Sequence, residues 1–284
     1  AIGIKQTGPS IVLAFILSAI GTYIVFHLLA KMTADDPQNG SFCYYAKKAY
    51  GDWAGFSCGW NYWCCTILIM GSQLTALSTL SRFWFPNVPL WIFALCYAIL
   101  AIAVVLLGKN GFNKAENFFA VIQLAAIVMF IIIALCAVFG AIKGAGPNPN
   151  LAMEMSKIFV KGFRGFWASL IYAFYAYGGI EVIGLMAMQL KKKEDTPKSG
   201  TVMLIVLTII YVASLILAVS LVGYGAFTEE ESPFVTALKD YKLALFTHIF
   251  NACIIIGGVS TMTASLFAVT HLLVTMSDNG DAPV

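Results

Sequence analysis

Residues 165–190 read GFWASLIYAFYAYGGIEVIGLMAMQL, an apolar stretch that contains one formal charge, Glu181. A helix that crosses the hydrocarbon core of a bilayer needs about 20 predominantly apolar residues, so this stretch is long enough to span it. Its middle carries Gly178 and Gly179, and each glycine costs about 1 kcal/mol in helix propensity relative to alanine. The stretch therefore predicts a membrane helix that is interrupted near its centre, beside an intramembrane carboxylate.

Six further apolar stretches of comparable length accompany this one along the chain. The composition agrees with them, since 60% of the 284 residues are hydrophobic and 11% are charged, whereas soluble globular domains carry about 25% charged residues. We therefore expect an all-α polytopic membrane protein that forms a single membrane domain over residues 1–284. The approximate spans are 9–30, 53–81, 88–108, 117–140, 166–190, 199–226 and 246–276.

The charged and nucleophilic side chains argue against two other classes of protein. Seventeen basic residues against fourteen acidic ones give a net charge of +3, and the basic residues form no stripe that could follow phosphates, so we expect no nucleic-acid partner. The sequence shows no nucleophile–base pair, no glycine-rich phosphate loop and no metal-binding cluster. We therefore expect neither an enzyme nor a cofactor, and the lipid bilayer is the partner that composition predicts.

Glu181 is the only formal charge within any of the predicted spans. Ionisable side chains inside a membrane are costly and mark functional sites by default, and in transporters the ligand binds where a membrane helix is unwound. The alternative role is structural, with a protonated or hydrogen-bonded glutamate that braces the break at Gly178 and Gly179. Both interpretations predict an unwound helix.

A second polar group lies in the last predicted span, where residues 257–265 read GGVSTMTAS. Such hydroxyl-rich segments can ligate a cation, or they can hydrogen-bond a neighbouring helix, which is the commoner role. A third segment, GFSCGWNYW at residues 55–63, has glycines four apart that permit close helix approach. The hydroxyls of the second group belong to Ser260, Thr261, Thr263 and Ser265.

Several segments resemble amino acid permeases of the amino acid–polyamine–organocation superfamily, in its bacterial amino acid transporter branch. The resemblance implies twelve helices in a five-plus-five inverted repeat with broken helices. The chain would supply the outer half of the first helix through the loop after the eighth, so this fold is incomplete in it. The resemblance also implies a multi-pass protein of the bacterial inner membrane. It rests on GSFCYYAKKAYGDWAGFSCGWNYW at 40–63, FYAYGGIEVIG at 174–184, MSDNGDAPV at 276–284 and, more loosely, KQTGP at 5–9.

The resemblance implies roles for the residues around the predicted break. Tyr175 falls where the family places an aromatic gate. The carbonyls around Tyr175, Ala176 and Tyr177 fall where the substrate ammonium is accepted, and Gly178 belongs to the same binding segment. This placement makes physical sense because the last turn of a helix has unpaired carbonyls and the negative end of the helix dipole.

The resemblance also implies a pocket for the substrate side chain, lined by Thr66, Met70 and Ser265. None of these residues is acidic, so we expect a neutral amino acid of small to medium size. The predicted function is secondary active or exchange transport of an amino acid by alternating access. The alternative is a membrane sensor or receptor that binds an amino acid without transporting it, and the oligomeric state stays open.

The predicted coupling mechanism depends on Gln123, which stands where many proton-coupled members of the family carry a lysine. Glutamine cannot titrate, so two outcomes remain. Either the hydroxyls near Ser260, Thr261 and Thr263 bind sodium, the one metal ion that the sequence suggests, or transport is exchange or uncoupled. Because we expect no carboxylate beside these hydroxyls, we favour exchange or uncoupled transport. Glu181, next to the break at Gly179, is the reserve candidate for a proton carrier.

Overall fold

The computed structural model describes residues 2–38, 40–142, 159–181, 196–222, 232–239 and 244–283. All regular structure within these ranges is helical. A short 3₁₀ turn, Gly8–Ser10, joins the first two helices. The α-helices of the described ranges are α1 Ile2–Thr7, α2 Ile11–Asp35, α3 Phe42–Tyr50, α4 Asp52–Ser81, α5 Leu90–Leu106, α6 Gly108–Val138, α7 Gly162–Ala176, α8 Thr196–Val222, α9 Pro233–Lys239 and α10 Ala244–Asp278.

Five helical stretches in the described part of the chain are long and apolar enough to cross a membrane. The helix α5 is apolar but shorter, with 17 residues. The long helices are hydrophobic around their whole circumference, as expected where one side meets lipid and the other meets protein. The chain is therefore an all-α, multi-pass integral membrane protein, as the composition predicts. The five stretches are Ile2–Asp35, Asp52–Ser81, Gly111–Val138, Pro197–Leu221 and Leu245–Asp278.

The predicted span 166–190 is described only in its first part. The helix α7 ends at Ala176, and residues 177–181 form a turn. The remainder of that span lies in residues 182–195, outside the described residues, and the same holds for residues 223–226 of the predicted span 199–226.

The short helix α3 differs from the long helices because its polar side chains are tied to the end of α2. The Lys48 ammonium donates to Asp36 Oδ2 at 2.7 Å, and the Tyr45 hydroxyl donates to the Asp36 carbonyl at 2.8 Å. This ammonium, together with the amide of Gln38, holds the pKa of the Asp36 carboxyl below its usual range. The loop between two membrane helices is thus fixed by an exposed ion pair.

The described residues belong to two compact units, each with its own internal contacts. The first comprises Ala1–Thr22, Phe119–Gly178 and Leu204–Gly257. In it, α2 packs on α7 through Ala14, Leu170 and Ala173. The ring of Phe130 on α6 lies 4.7 Å from that of Phe234 on α9.

The second unit comprises Tyr23–Phe118, Gly179–Met203 and Gly258–Val284. A buried cluster joins α4, α5 and α10. The first turns of α6 pack on α10 through Phe112 and Phe267, whose rings stack at 4.3 Å with an interplanar angle of 10°. These contacts position the polar groups of α4, α6 and α10. The buried members of the cluster are Met70, Ala101, Met262 and Val269.

Candidate functional site

The chain leaves helical geometry at the glycine pair where the sequence predicts a break. Gly179 has φ +97°, in the region that glycine adopts readily and other residues rarely do. The N–H of Gly178 donates to the Tyr175 carbonyl at 3.1 Å, and the Tyr211 hydroxyl donates to the Ala176 carbonyl at 3.3 Å. Two of the carbonyls expected to face a substrate ammonium therefore have protein partners in this structure.

The aromatic residues beside the break differ in burial. Tyr177 is 4% exposed, whereas Tyr175 is 50% exposed. The Tyr177 ring packs against Phe15 at 6.0 Å and Tyr211 at 5.5 Å, and its hydroxyl donates to Thr208 at 3.3 Å. Tyr175 is the predicted gate. The buried aromatic cluster forms around Tyr177 instead, which the sequence did not predict.

Glu181 lies in the second unit and is hydrogen-bonded on both carboxylate oxygens. Its Oε2 accepts the Gly179 N–H at 2.9 Å, and its Oε1 accepts the Tyr62 hydroxyl at 3.3 Å. One bond closes the turn onto itself, and the other ties the turn to α4. This geometry suits the bracing role that the sequence analysis kept as an alternative.

Thr66 and Met70 lie four residues apart on α4 and are both buried, so they share one face of that helix. The Thr66 hydroxyl donates to the Tyr62 carbonyl at 2.8 Å. Met70 packs with Met262 of α10, and Ser265, one turn further along α10, is half-buried. The structure thus brings the α4 residues of the predicted pocket close to the part of α10 that carries Ser265.

The last three predicted site residues are Gln123, Ser260 and Thr261, and each is described within its own unit. In the first unit, Gln123 of α6 lies against Gly257 of α10, where an added Cβ would meet the Gln123 Cγ at 3.1 Å. In the second unit, Ser260 is buried, whereas the next residue, Thr261, is exposed. A sodium site at Ser260 and Thr261 stays a prediction.

A carboxylate that the sequence analysis missed lies beside the hydroxyls of α10. Glu116 Oε2 accepts the Ser260 hydroxyl at 2.6 Å, and Glu116 Oε1 lies 2.6 Å from the Thr263 hydroxyl. The expectation that no carboxylate would lie beside these hydroxyls is therefore wrong. The predicted span begins directly after Glu116, at residue 117, whereas α6 begins at Gly108 and therefore includes this glutamate. Glu116 lies seven residues before Gln123 and therefore on the same face of α6, a signal that places it on that face but does not indicate its partners on α10.

With this geometry established, comparison with known proteins identifies the family. The sequence model of the amino acid permease family matches residues 1–284. The chain belongs to the amino acid permease family. The resemblance inferred from the break and from the loop before α4 is thereby confirmed.

Individual members of the family match over nearly the whole chain. An "Uncharacterized transporter YcgH" of Bacillus subtilis (strain 168) is 53% identical over 283 residues, which are 100% of this chain and 64% of the relative. The "Aromatic amino acid transport protein AroP" of Corynebacterium glutamicum is 30% identical over 289 residues, covering 99% of this chain and 62% of the relative. The protein of the same name from Escherichia coli (strain K12) is 26% identical over 281 residues, with the same coverage of 99% and 62%. The chain thus spans less than two thirds of the length of these relatives.

Proposed function

We propose that the whole protein transports a neutral amino acid of small to medium size across a bacterial inner membrane by alternating access. The observation that carries the proposal is the end of α7 at Ala176, followed by the turn that Glu181 braces. The last turn of a membrane helix offers carbonyls and a negative dipole end, which suit a substrate ammonium. In this protein the ammonium would replace or share the present partners of the Tyr175 and Ala176 carbonyls. Family membership supports the same conclusion.

The proposed choice of substrate follows from Thr66, Met70 and Ser265. A short hydroxyl and a flexible thioether provide a weakly polar lining without a counter-charge for a cationic side chain. Two of the relatives are described as aromatic amino acid transport proteins, so aromatic amino acids are the second candidate class. They are also neutral, but they are larger than the substrates that we favour.

The proposed coupling mode depends on which side chains near α10 can carry a proton. Gln123 supplies no proton carrier at its position, which by itself supports exchange or uncoupled transport. The second argument for exchange or uncoupled transport was the expected absence of a carboxylate beside the α10 hydroxyls. Glu116 removes that argument, because its carboxylate lies against these hydroxyls.

The test of this function is counterflow in proteoliposomes made from the full-length protein. Vesicles are loaded with one unlabelled amino acid and diluted into the same labelled amino acid, and the measurement is repeated for all twenty. We expect the largest transient accumulation for small or medium neutral amino acids, with phenylalanine, tyrosine and tryptophan as the decisive competitors.

Three results would contradict the proposal in different ways. Preference for the aromatic amino acids would show that the proposed substrate class is wrong, while the proposed transport function would stand. Preference for lysine or arginine would contradict the uncharged pocket. Saturable binding to the purified protein without counterflow of any amino acid would favour the sensor or receptor over a transporter.

A further inference from the structure

Three polar groups meet where the start of α6 packs on α10. Ser260 is 6% exposed and Thr263 is 0% exposed, and both hydroxyls lie 2.6 Å from Glu116 oxygens. The Thr263 hydroxyl oxygen also lies 2.8 Å from the Ser260 carbonyl. Three short oxygen–oxygen contacts thus form a continuous chain that runs from the Ser260 hydroxyl through both carboxylate oxygens of Glu116 and the Thr263 hydroxyl to the Ser260 carbonyl.

The hydroxyl protons do not suffice for this chain when Glu116 is ionised. A serine or threonine hydroxyl carries one proton, so Ser260 and Thr263 supply two protons for three contacts. The single proton of Thr263 is then divided between Glu116 and the Ser260 carbonyl, so that neither short contact holds a full hydrogen bond. Weakly paired acceptors and charges are costly where their surroundings are buried, as both hydroxyls are here, while Glu116 itself is half-buried.

One additional proton on Glu116 Oε1 completes the chain without moving a heavy atom. The carboxyl O–H then donates to Thr263 Oγ1, Thr263 donates to the Ser260 carbonyl, and Ser260 donates to Glu116 Oε2. Each of the three contacts holds one proton, and the glutamate is neutral. A sodium ion in the same place would instead require both hydroxyl protons to turn away from the carboxylate.

We infer that Glu116, with Ser260 and Thr263, is a proton-binding site, and that its proton couples to substrate movement. The inference rests on the proposed function for its coupling part, while proton binding itself does not. The site lies in the second unit and does not involve Gln123, the position at which the family resemblance implies a proton-carrying lysine in many relatives.

The surroundings of Glu116 are mainly apolar on the elements that pack there. From α10, the Phe267 ring stacks on Phe112, one turn before Glu116, and the His271 ring packs against Phe267 in an edge arrangement at 4.3 Å. From α5, Val104 and Val105 pack on the same cluster. On α6 itself, Lys114 is exposed, and residues two apart on a helix do not face each other. His271 and Lys114 are therefore the charged or titratable groups to control for.

The first experiment measures protonation directly on the purified full-length protein. Infrared difference spectra between acidic and alkaline buffer report the carbonyl stretch of a buried protonated carboxylic acid. We expect a band in the wild-type protein that disappears in Glu116→Gln and that shifts in frequency in Ser260→Ala, because the Ser260 hydroxyl donates to the carboxyl carbonyl. Asp278→Asn, at the exposed end of α10, is the matched carboxylate-to-amide control and should leave the band unchanged, as should His271→Gln.

The second experiment measures coupling in proteoliposomes of the same variants. An inwardly directed proton gradient should drive substrate accumulation by the wild-type protein, and Glu116→Gln should reduce this accumulation to that of protein-free vesicles while reducing counterflow by a smaller factor.

The outcomes separate the inference from the proposed function. An infrared band that persists in Glu116→Gln overturns proton binding at this site, even if transport is observed. A band that sodium removes, with sodium-driven accumulation, replaces the proton by sodium and also overturns the inference. If the band behaves as expected but the wild-type protein shows no counterflow, the proton site stands and the transport function fails.

Discussion

The turn after α7 depends on the backbone conformation of Gly179, and alanine at this position tests that dependence. Gly179 has φ +97°, and an added Cβ would meet no atom within 4 Å. Gly179→Ala therefore introduces backbone strain without a steric clash. Strain of this kind costs about 1–3 kcal/mol, which reduces the population of the turn about 5- to 150-fold.

Alanine at a matched glycine elsewhere in the chain should change the stability in the opposite direction. Gly71 lies inside α4, is exposed, and also has open space around an added Cβ. Gly71→Ala should therefore stabilise its helix by roughly 0.5–1 kcal/mol. Gly179→Asn should cost less than Gly179→Ala, because asparagine visits left-handed conformations more readily than alanine does.

The assay combines thermal unfolding of the full-length protein in detergent with the initial rate of counterflow. We expect Gly179→Ala to lower both the unfolding temperature and the rate, Gly179→Asn to lower them less, and Gly71→Ala to lower neither. Equal behaviour of the two alanine variants would refute the argument that the turn requires the glycine conformation.

Three further substitutions test other parts of the argument. Tyr175→Ala should slow counterflow by one to two orders of magnitude if its half-exposed ring closes over the substrate, since about 1.5–3 kcal/mol of aromatic burial is lost, and an unchanged rate in a folded variant would contradict the gate. Tyr177→Ala should instead lower the unfolding temperature, because truncating a buried aromatic costs about 3–5 kcal/mol, whereas Tyr177→Phe should keep most of the stability. Lys48→Met should lower the unfolding temperature near neutrality and weaken its dependence on acidic pH. The Asp36 pKa is lowered in the folded wild-type protein, so this carboxylate stabilises the fold above its unfolded pKa and loses that contribution as the pH falls through the folded value. Unfolding temperatures measured across acidic pH should then differ between wild type and variant near neutrality and converge in strong acid.

The end of the helix beside the glycine pair was predictable because it is a local property of the sequence. Two adjacent glycines within an otherwise uniform apolar stretch are a strong signal, and the positive φ of Gly179 is the conformation that only glycine adopts without cost. The all-helical membrane class was equally accessible, because the bilayer requires every backbone polar group to be paired within the chain. Neither conclusion depends on which helices pack together.

The contacts of the site were not predictable because they join distant parts of the chain. Glu116 and Ser260 are separated by 144 positions, and no local pattern at either residue specifies its partner. The burial of Tyr177 rather than Tyr175 depends on how α7 is rotated where it ends. Residues two apart on a helix do not share a face, so a small change in the last helical turn exchanges which ring is buried.

The position of Glu116 explains how a chain with glutamine at position 123 can retain an ionisable group on the same helix face. The two residues are seven positions apart, about two turns along α6, and within the second unit Phe112 pairs with Phe267 while Glu116 pairs with Ser260 and Thr263. Later residues of α6 therefore meet earlier residues of α10, so the two helices run antiparallel there.

A proton on Glu116 neutralises a carboxylate that would otherwise be ionised against the buried hydroxyls of Ser260 and Thr263. When this proton is released, the Thr263 hydroxyl has one proton for its two short contacts. The α6–α10 contact is consequently the place where protonation changes the energy of helix packing, which is the property that a coupling site requires.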